Sequence, residues 1–183
     1  TAFPTGGFTH SLGCEAALQC GYITNKDNFR VFVISCLENA GSFSLPFVHE
    51  AHTLYLDHNA LLHLDRLYNV SLVNHVARRA SLQQGRSLLT TCCRTFLITH
   101  LETLQKYIDD GSIQGHQAVI FGAVCGVLKI PISEVLYMFM FGVLRTLVAS
   151  IVRLGKIVGS LEGQRFQYEM QRIIPDIVAR YVY

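Results

Sequence analysis

The sequence predicts an all-α fold, a single compact domain over residues 1–183 built from roughly eight to ten helices. Three observations predict it. Every strong apolar periodicity recurs at three and four residues, the spacing of one helix face. No stretch alternates as a half-buried strand does, and no repeat or low-complexity linker interrupts the chain. Half of the 183 residues are apolar and only 15% are charged, enough for a large core or a covered partner surface.

The elements follow in order. Thr9 or Ser11 is placed to cap a short helix carrying Glu15, and Gly21 to end it in left-handed geometry. Thr24-Asn25-Lys26-Asp27 has capping chemistry ahead of Phe29, Phe32, Val33, Cys36, Leu37 and Ala40. Gly41 is expected to stop that helix, and Ser44-Leu45-Pro46 to start another bearing Val48, Ala51 and Leu54. Asn59 is the expected cap of a helix with Leu61, Leu64 and Leu67. A longer helix is expected from Ser71 into the mid-90s, with Gly85 marking a close crossing or a break. Leu101–Ile108, His116–Leu128, Glu134–Arg153 (capped by Ser133), Leu161–Arg172 and Pro175–Tyr183 complete the series.

Composition excludes several classes. Net charge is +2 and no basic run exceeds two residues, so the electrostatic footprint for nucleic acid is missing. The six cysteines are scattered through helical patterns and read as free thiols of a reducing, cytoplasmic compartment. Glu134, Arg145 and Arg153 bound or interrupt the most apolar runs, which argues for a buried helix and against a membrane partner. No signal peptide is visible.

Four constellations could carry chemistry. His49 and His52 sit three apart on one helix face, a spacing that can ligate nickel or zinc, though it is not the zincin pattern. His10 lies in the Gly6-Gly7 turn, and His116 opens an apolar helix; each is a candidate contact or a structural histidine. Cys14, near a helix N-terminus where thiolate is favoured, is the candidate for a cysteine enzyme, with His10 as base. Asn74, Arg78 and Ser81 share a helix face, on which Arg78 offers a fork for a carboxylate.

Four motifs resemble the UreF family of urease accessory proteins. They are Phe3-Pro4-Thr5-Gly6-Gly7-Phe8-Thr9-His10-Ser11 with Glu15, then Asn74…Arg78…Ser81…Gly85, then His116…Phe121-Gly122, then Val152-Arg153-Leu154 with Glu162-Gly163-Gln164. They occur in family order. The chain begins inside the first motif and stops short of the family's C-terminal tail, which is used in binding UreD (UreH).

The resemblance implies a non-enzymatic maturation chaperone, all-helical and homodimeric. It implies partners UreD (UreH), the GTPase UreG and apo-urease, with regulation of GTP-dependent nickel insertion. No cofactor is expected to stay bound. Nickel in transit could touch His10, His49, His52 or His116. The partner-binding residues implied are Gly6, Gly7, Phe8, His10, Ser11, Glu15, Arg78, Ser81, Gly85, Arg153 and Gln164. A generic helical interaction module with no nickel role is the alternative.

Overall fold

The computed structural model describes residues 11–182. Among them are nine α-helices: α1 Cys14–Gln19, α2 Lys26–Thr53, α3 His58–Ser71, α4 His75–Phe96, α5 Thr99–Asp109, α6 Gln117–Val127, α7 Ile132–Leu154, α8 Ser160–Met170 and α9 Ile174–Val182. A 3-10 turn, Gln171–Ile173, joins the last two. The expected all-α class is what the chain adopts. Its contacts group into two units, one of Pro46–Leu136 and a second joining residues 11–45 to 137–182.

The largest departure from sequence expectation is α2, which runs unbroken through both Gly41 and Pro46. Packing overrides the local rules. A Cβ at Gly41 would lie 2.6 Å from Ile177 Cγ2 and 2.8 Å from Tyr181 Cδ2, so glycine here admits α9 rather than ending a helix. Around Pro46, the side chains of Leu45, Val48 and Ala51 are fully buried, which offsets the hydrogen bond that proline removes.

Caps also shift. Asn25 begins α2, its Oδ1 accepting the Asn28 N–H at 2.9 Å. Asp57 rather than Asn59 caps α3, accepting from the Ala60 N–H at 3.0 Å. Asn74 caps α4, so that helix starts later than expected, and its Oδ1 accepts from Val76 and Ala77 at 2.9 and 3.1 Å. Gly13, not Thr9 or Ser11, is the residue at the start of α1; Thr9 lies outside the described residues. Pro131 immediately precedes α7, which begins at Ile132, ahead of the expected Ser133 cap. Gly21 does end α1, with φ +77.

In the first unit α6 is apolar all round and nearly buried, and its small residues let neighbours come close. A Cβ at Gly122 would meet the Val48 carbonyl at 2.3 Å, and one at Gly126 the His52 carbonyl at 2.8 Å. These two glycines, one turn apart, seat the C-terminal half of α2. In the second unit Phe29, Val33 and Leu37 of α2, Met140, Leu144 and Ile151 of α7, and Ile174 and Ile177 of α9 are essentially buried. Phe29 and Phe166 pack with ring centroids 4.9 Å apart. α2 and α7 are each long and apolar enough to cross a membrane by length and composition, and 33% and 50% of their most apolar windows are buried within the fold.

Candidate functional site

A dense polar constellation lies inside the first unit, where α3, α4 and α6 meet. α6 begins without a side-chain cap of its own. The amides leading into it, and the first of its own, are satisfied from other helices. Asp65, fully buried on α3, accepts from Gln114 N at 2.6 Å, Gly115 N at 3.2 Å and His116 N at 2.9 Å. Gly115, at φ +90, turns these successive amides toward one point, forming a small anion nest that the carboxylate fills. The negative charge also sits at the positive end of the α6 dipole.

Ser81 of α4 supplies the next acceptor, its Oγ taking the Gln117 N–H at 3.1 Å. The same oxygen lies 3.1 Å from His116 Nδ1, while His116 Nε2 lies 3.1 Å from Asn69 Oδ1. The amide oxygen only accepts, so Nε2 carries a proton. With the buried ring neutral, Nδ1 accepts the Ser81 hydroxyl proton. Burial pushes the imidazole below its usual value, Asp65 opposes this, and Arg78 and Arg86 add to it. Above the ring stands Tyr68, with centroids 5.1 Å apart. Gly85 closes the node: a Cβ there would sit 2.2 Å from the Gly115 carbonyl oxygen. Gly85 thus marks a close crossing and not a break.

Three of the residues read from the sequence as functional are brought together here, Ser81, Gly85 and His116. All three are buried and spend their polar or packing capacity within the unit. Arg78 stands nearby, with one Nη donating to the Leu72 carbonyl at 2.6 Å. Glu15, Arg153 and Gln164 are exposed in the second unit, and Ser11 is half-buried. Gly6, Gly7, Phe8 and His10 lie outside the described residues.

For metal chemistry, His116 has both ring nitrogens engaged, and His52 Nε2 donates to the Ile130 carbonyl at 2.8 Å. His49 Nδ1 is 3.4 Å from Glu50. Among the described residues no three His, Cys, Asp or Glu side chains converge as a metal site. A cavity of ≈ 280 Å³ in the second unit is lined by Lys26, Arg30, Glu162, Arg165, Phe166 and Glu169. Its charges are largely spent on each other, Lys26 with Glu162 and Arg30 with Glu169.

The cysteine-enzyme alternative weighed at Cys14 finds no support in its surroundings. Cys14 is fully buried, and burial pushes its thiol up to about 11, against a smaller opposing pull from Arg153. Cys36 and Cys92 are likewise raised to about 11 and Cys125 to about 12 by burial. These are packing residues.

The family model described as UreF matches residues 23–171. The chain belongs to the UreF family. Urease accessory protein F of Arabidopsis thaliana is 32% identical over 184 residues, covering 98% of this chain and 75% of that protein. Urease accessory protein F of Oryza sativa subsp. indica is 34% identical over 171 residues, covering 91% of this chain; the chain spans 64% of the rice protein's length. Urease accessory protein UreF of Paenarthrobacter aurescens is 30% identical, over 90% of this chain and 72% of that protein.

Within this UreF-family chain, sequence reading missed Asp65 and Asn69. Asp65 carried a legible signal: it falls with Leu61 and Tyr68 at i, i+4, i+7, on the buried stripe of α3. A carboxylate on an apolar stripe needs donors, and the Gly115 turn supplies them.

Proposed function

We propose that the chain is a maturation chaperone for urease, working as the UreF component of an accessory complex. In this reading it dimerises, binds UreD (UreH), and holds the GTPase UreG against apo-urease while nickel is inserted. It regulates GTP hydrolysis and turns over no substrate itself. It acts in the cytoplasm, without nucleic acid or membrane as partner. Nickel is cargo in transit, not a resident cofactor. The observation that carries the reading is the family match over residues 23–171.

The fold supports a scaffold in a specific way. Ser81, Gly85 and His116 tie α4 to α6 through backbone-directed bonds and a crossing closed by glycine, which stiffens the element presenting the exposed faces of α3 and α4. Contacts with partners are proposed for the outward-facing members of the set, Glu15, Arg153 and Gln164, for Ser11, and for Gly6, Gly7, Phe8 and His10, which lie outside the described residues.

The test is co-expression of the chain with UreD (UreH) and UreG, followed by size exclusion with light scattering. The expected result is one assembly containing two copies of this chain, which restores nickel-dependent urease activity in a host lacking its own family member. A chain that elutes alone and ignores both partners sinks the proposal.

A further inference from the structure

The charge on α3 and α4 is segregated. Residues 58–101 contain five arginines, no lysine and a single carboxylate, Asp65. Asp65 is buried and consumed by three backbone amides. The exposed charge of this stretch is therefore of one sign. Arg66, Arg79 and Arg94 are exposed, and among the described residues no salt bridge engages any of the five arginines.

Apolar side chains stand out beside this charge, at the corner where α3 ends and α4 begins. Val73 is 91% exposed and Val70 68%, with Val76 half-exposed on the next turn. The corner is held in place. Asn74 caps α4, and Arg78 donates to the Leu72 carbonyl. Three valines are thus kept in water by a fixed backbone, against the hydrophobic effect. Arg66 lies one turn before Val70, and Arg79 one turn after Val76, so each arginine shares a helix face with a valine.

We propose that this corner docks an acidic, amphipathic segment of a partner protein, its carboxylates on Arg66 and Arg79 and its apolar side chains on Val70, Val73 and Val76. Arginine without lysine fits carboxylate recognition, because the planar fork meets both oxygens at once. Arginine is also enriched, and lysine depleted, at protein interfaces. Short branched side chains offer no platform for stacked bases, which argues against single-stranded nucleic acid. They also lack the aromatic anchors and lysines of a membrane-surface helix. The inference does not rest on the urease reading, since the corner can be tested with no urease component present.

The probe is a fluorescein-labelled helical peptide with Glu along one face and Leu along the other, titrated by anisotropy against the whole chain. The expected result is binding that weakens with salt, and that falls about tenfold or more in the double variant Arg66→Glu, Arg79→Glu. Val73→Ser, on a side chain that touches little of the fold, is expected to weaken binding severalfold with an unchanged melting curve. Absence of peptide binding overturns the proposal. So does equal binding of a Lys/Leu peptide, or tighter binding to duplex DNA or to phosphatidylserine vesicles. Loss of self-association in the double variant, with peptide binding unchanged, overturns it in favour of a second copy of the chain.

Discussion

The two units fix their helices with opposite kinds of polar contact. In Pro46–Leu136 the decisive bonds are buried and end on backbone: Asp65 accepts three consecutive amides and Ser81 a fourth. In residues 11–45 and 137–182 the ion pairs run between side chains at the surface: Lys26 with Glu162, Arg30 with Glu169 at 2.8 Å and Arg180 with Glu38 at 2.7 Å. Exposed pairs contribute little and are screened by salt. The second unit stands instead on apolar contact, such as Phe29 on Phe166 and Gly41 against Ile177 and Tyr181. The lesson concerns fragility. A unit locked through one buried carboxylate is exposed to the loss of one side chain, whereas a unit held by distributed apolar contact gives way gradually.

The largest expected effect follows directly. Asp65→Ala leaves the Gln114, Gly115 and His116 amides without their acceptor in a buried site. We expect a loss of about 3–5 kcal/mol by urea unfolding. Glu162→Gln, which removes the exposed partner of Lys26, is the matched change in the second unit and is expected to leave the urea midpoint where it was. Equal losses from the two variants would break the comparison.

Glycines sharpen it. At Gly85 an added Cβ meets backbone, the Gly115 oxygen at 2.2 Å and the Gln117 nitrogen at 2.9 Å. Backbone cannot turn aside without breaking the Asp65 nest, so Gly85→Ala should cost about 2–3 kcal/mol. At Gly41 the neighbours are side chains of α9, Ile177 and Tyr181, and admitting a Cβ asks that helix to give way rather than a hydrogen-bonded backbone nest. Alanine there also gains about 1 kcal/mol of helix propensity, so Gly41→Ala should stay within about 1 kcal/mol of the parent. Parallel urea titrations of the two variants decide it. A Gly41→Ala loss as large as that of Gly85→Ala would mean that α9 is as rigidly seated as α6.

The same contrast explains what the sequence made legible. Helix order and class follow from periodicity, which needs only neighbours along the chain, and Phe29, Val33 and Leu37 are buried as their stripe requires. Gly41 and Pro46 misled because propensity is local and weak, while the burial of Leu45, Val48 and Ala51 around them is not. Of the interior node, Gly85 was readable as a close crossing and His116 as a helix opener with exposed backbone nearby. Ser81 was readable on its helix face and Asp65 as a carboxylate on a buried stripe, but their pairing with His116 was not, because they stand about 35 and 50 residues away and no local pattern joins them. The exposed apolar corner at Val70–Val76 was also hidden, since valines at helical spacing look like core until the fold turns them outward.

The smallest effect tests the proton inventory of the node. His116 is held neutral, accepting from Ser81 and donating to Asn69. Burial lowers its pKa from the usual 6.5. The sign follows from linkage. Well above pH 6.5 neither state of the chain binds this proton and the contribution of the node is complete. As pH falls through the unfolded value, the unfolded chain takes up a proton that the folded chain refuses, so stability declines until the lower folded value is reached. The groups facing the ring set its limits: Asp65 favours protonation, while Arg78 and Arg86 oppose it. Protonation also turns Nδ1 into a donor, which ends its acceptance of the Ser81 hydroxyl. His116→Asn should therefore be less stable than the parent at pH 7.5 but should lose less on going to pH 5, measured as the urea midpoint at each pH. If both chains fall by the same amount, the acid sensitivity comes from other groups, and the node is held by the Asp65 and Ser81 acceptors alone.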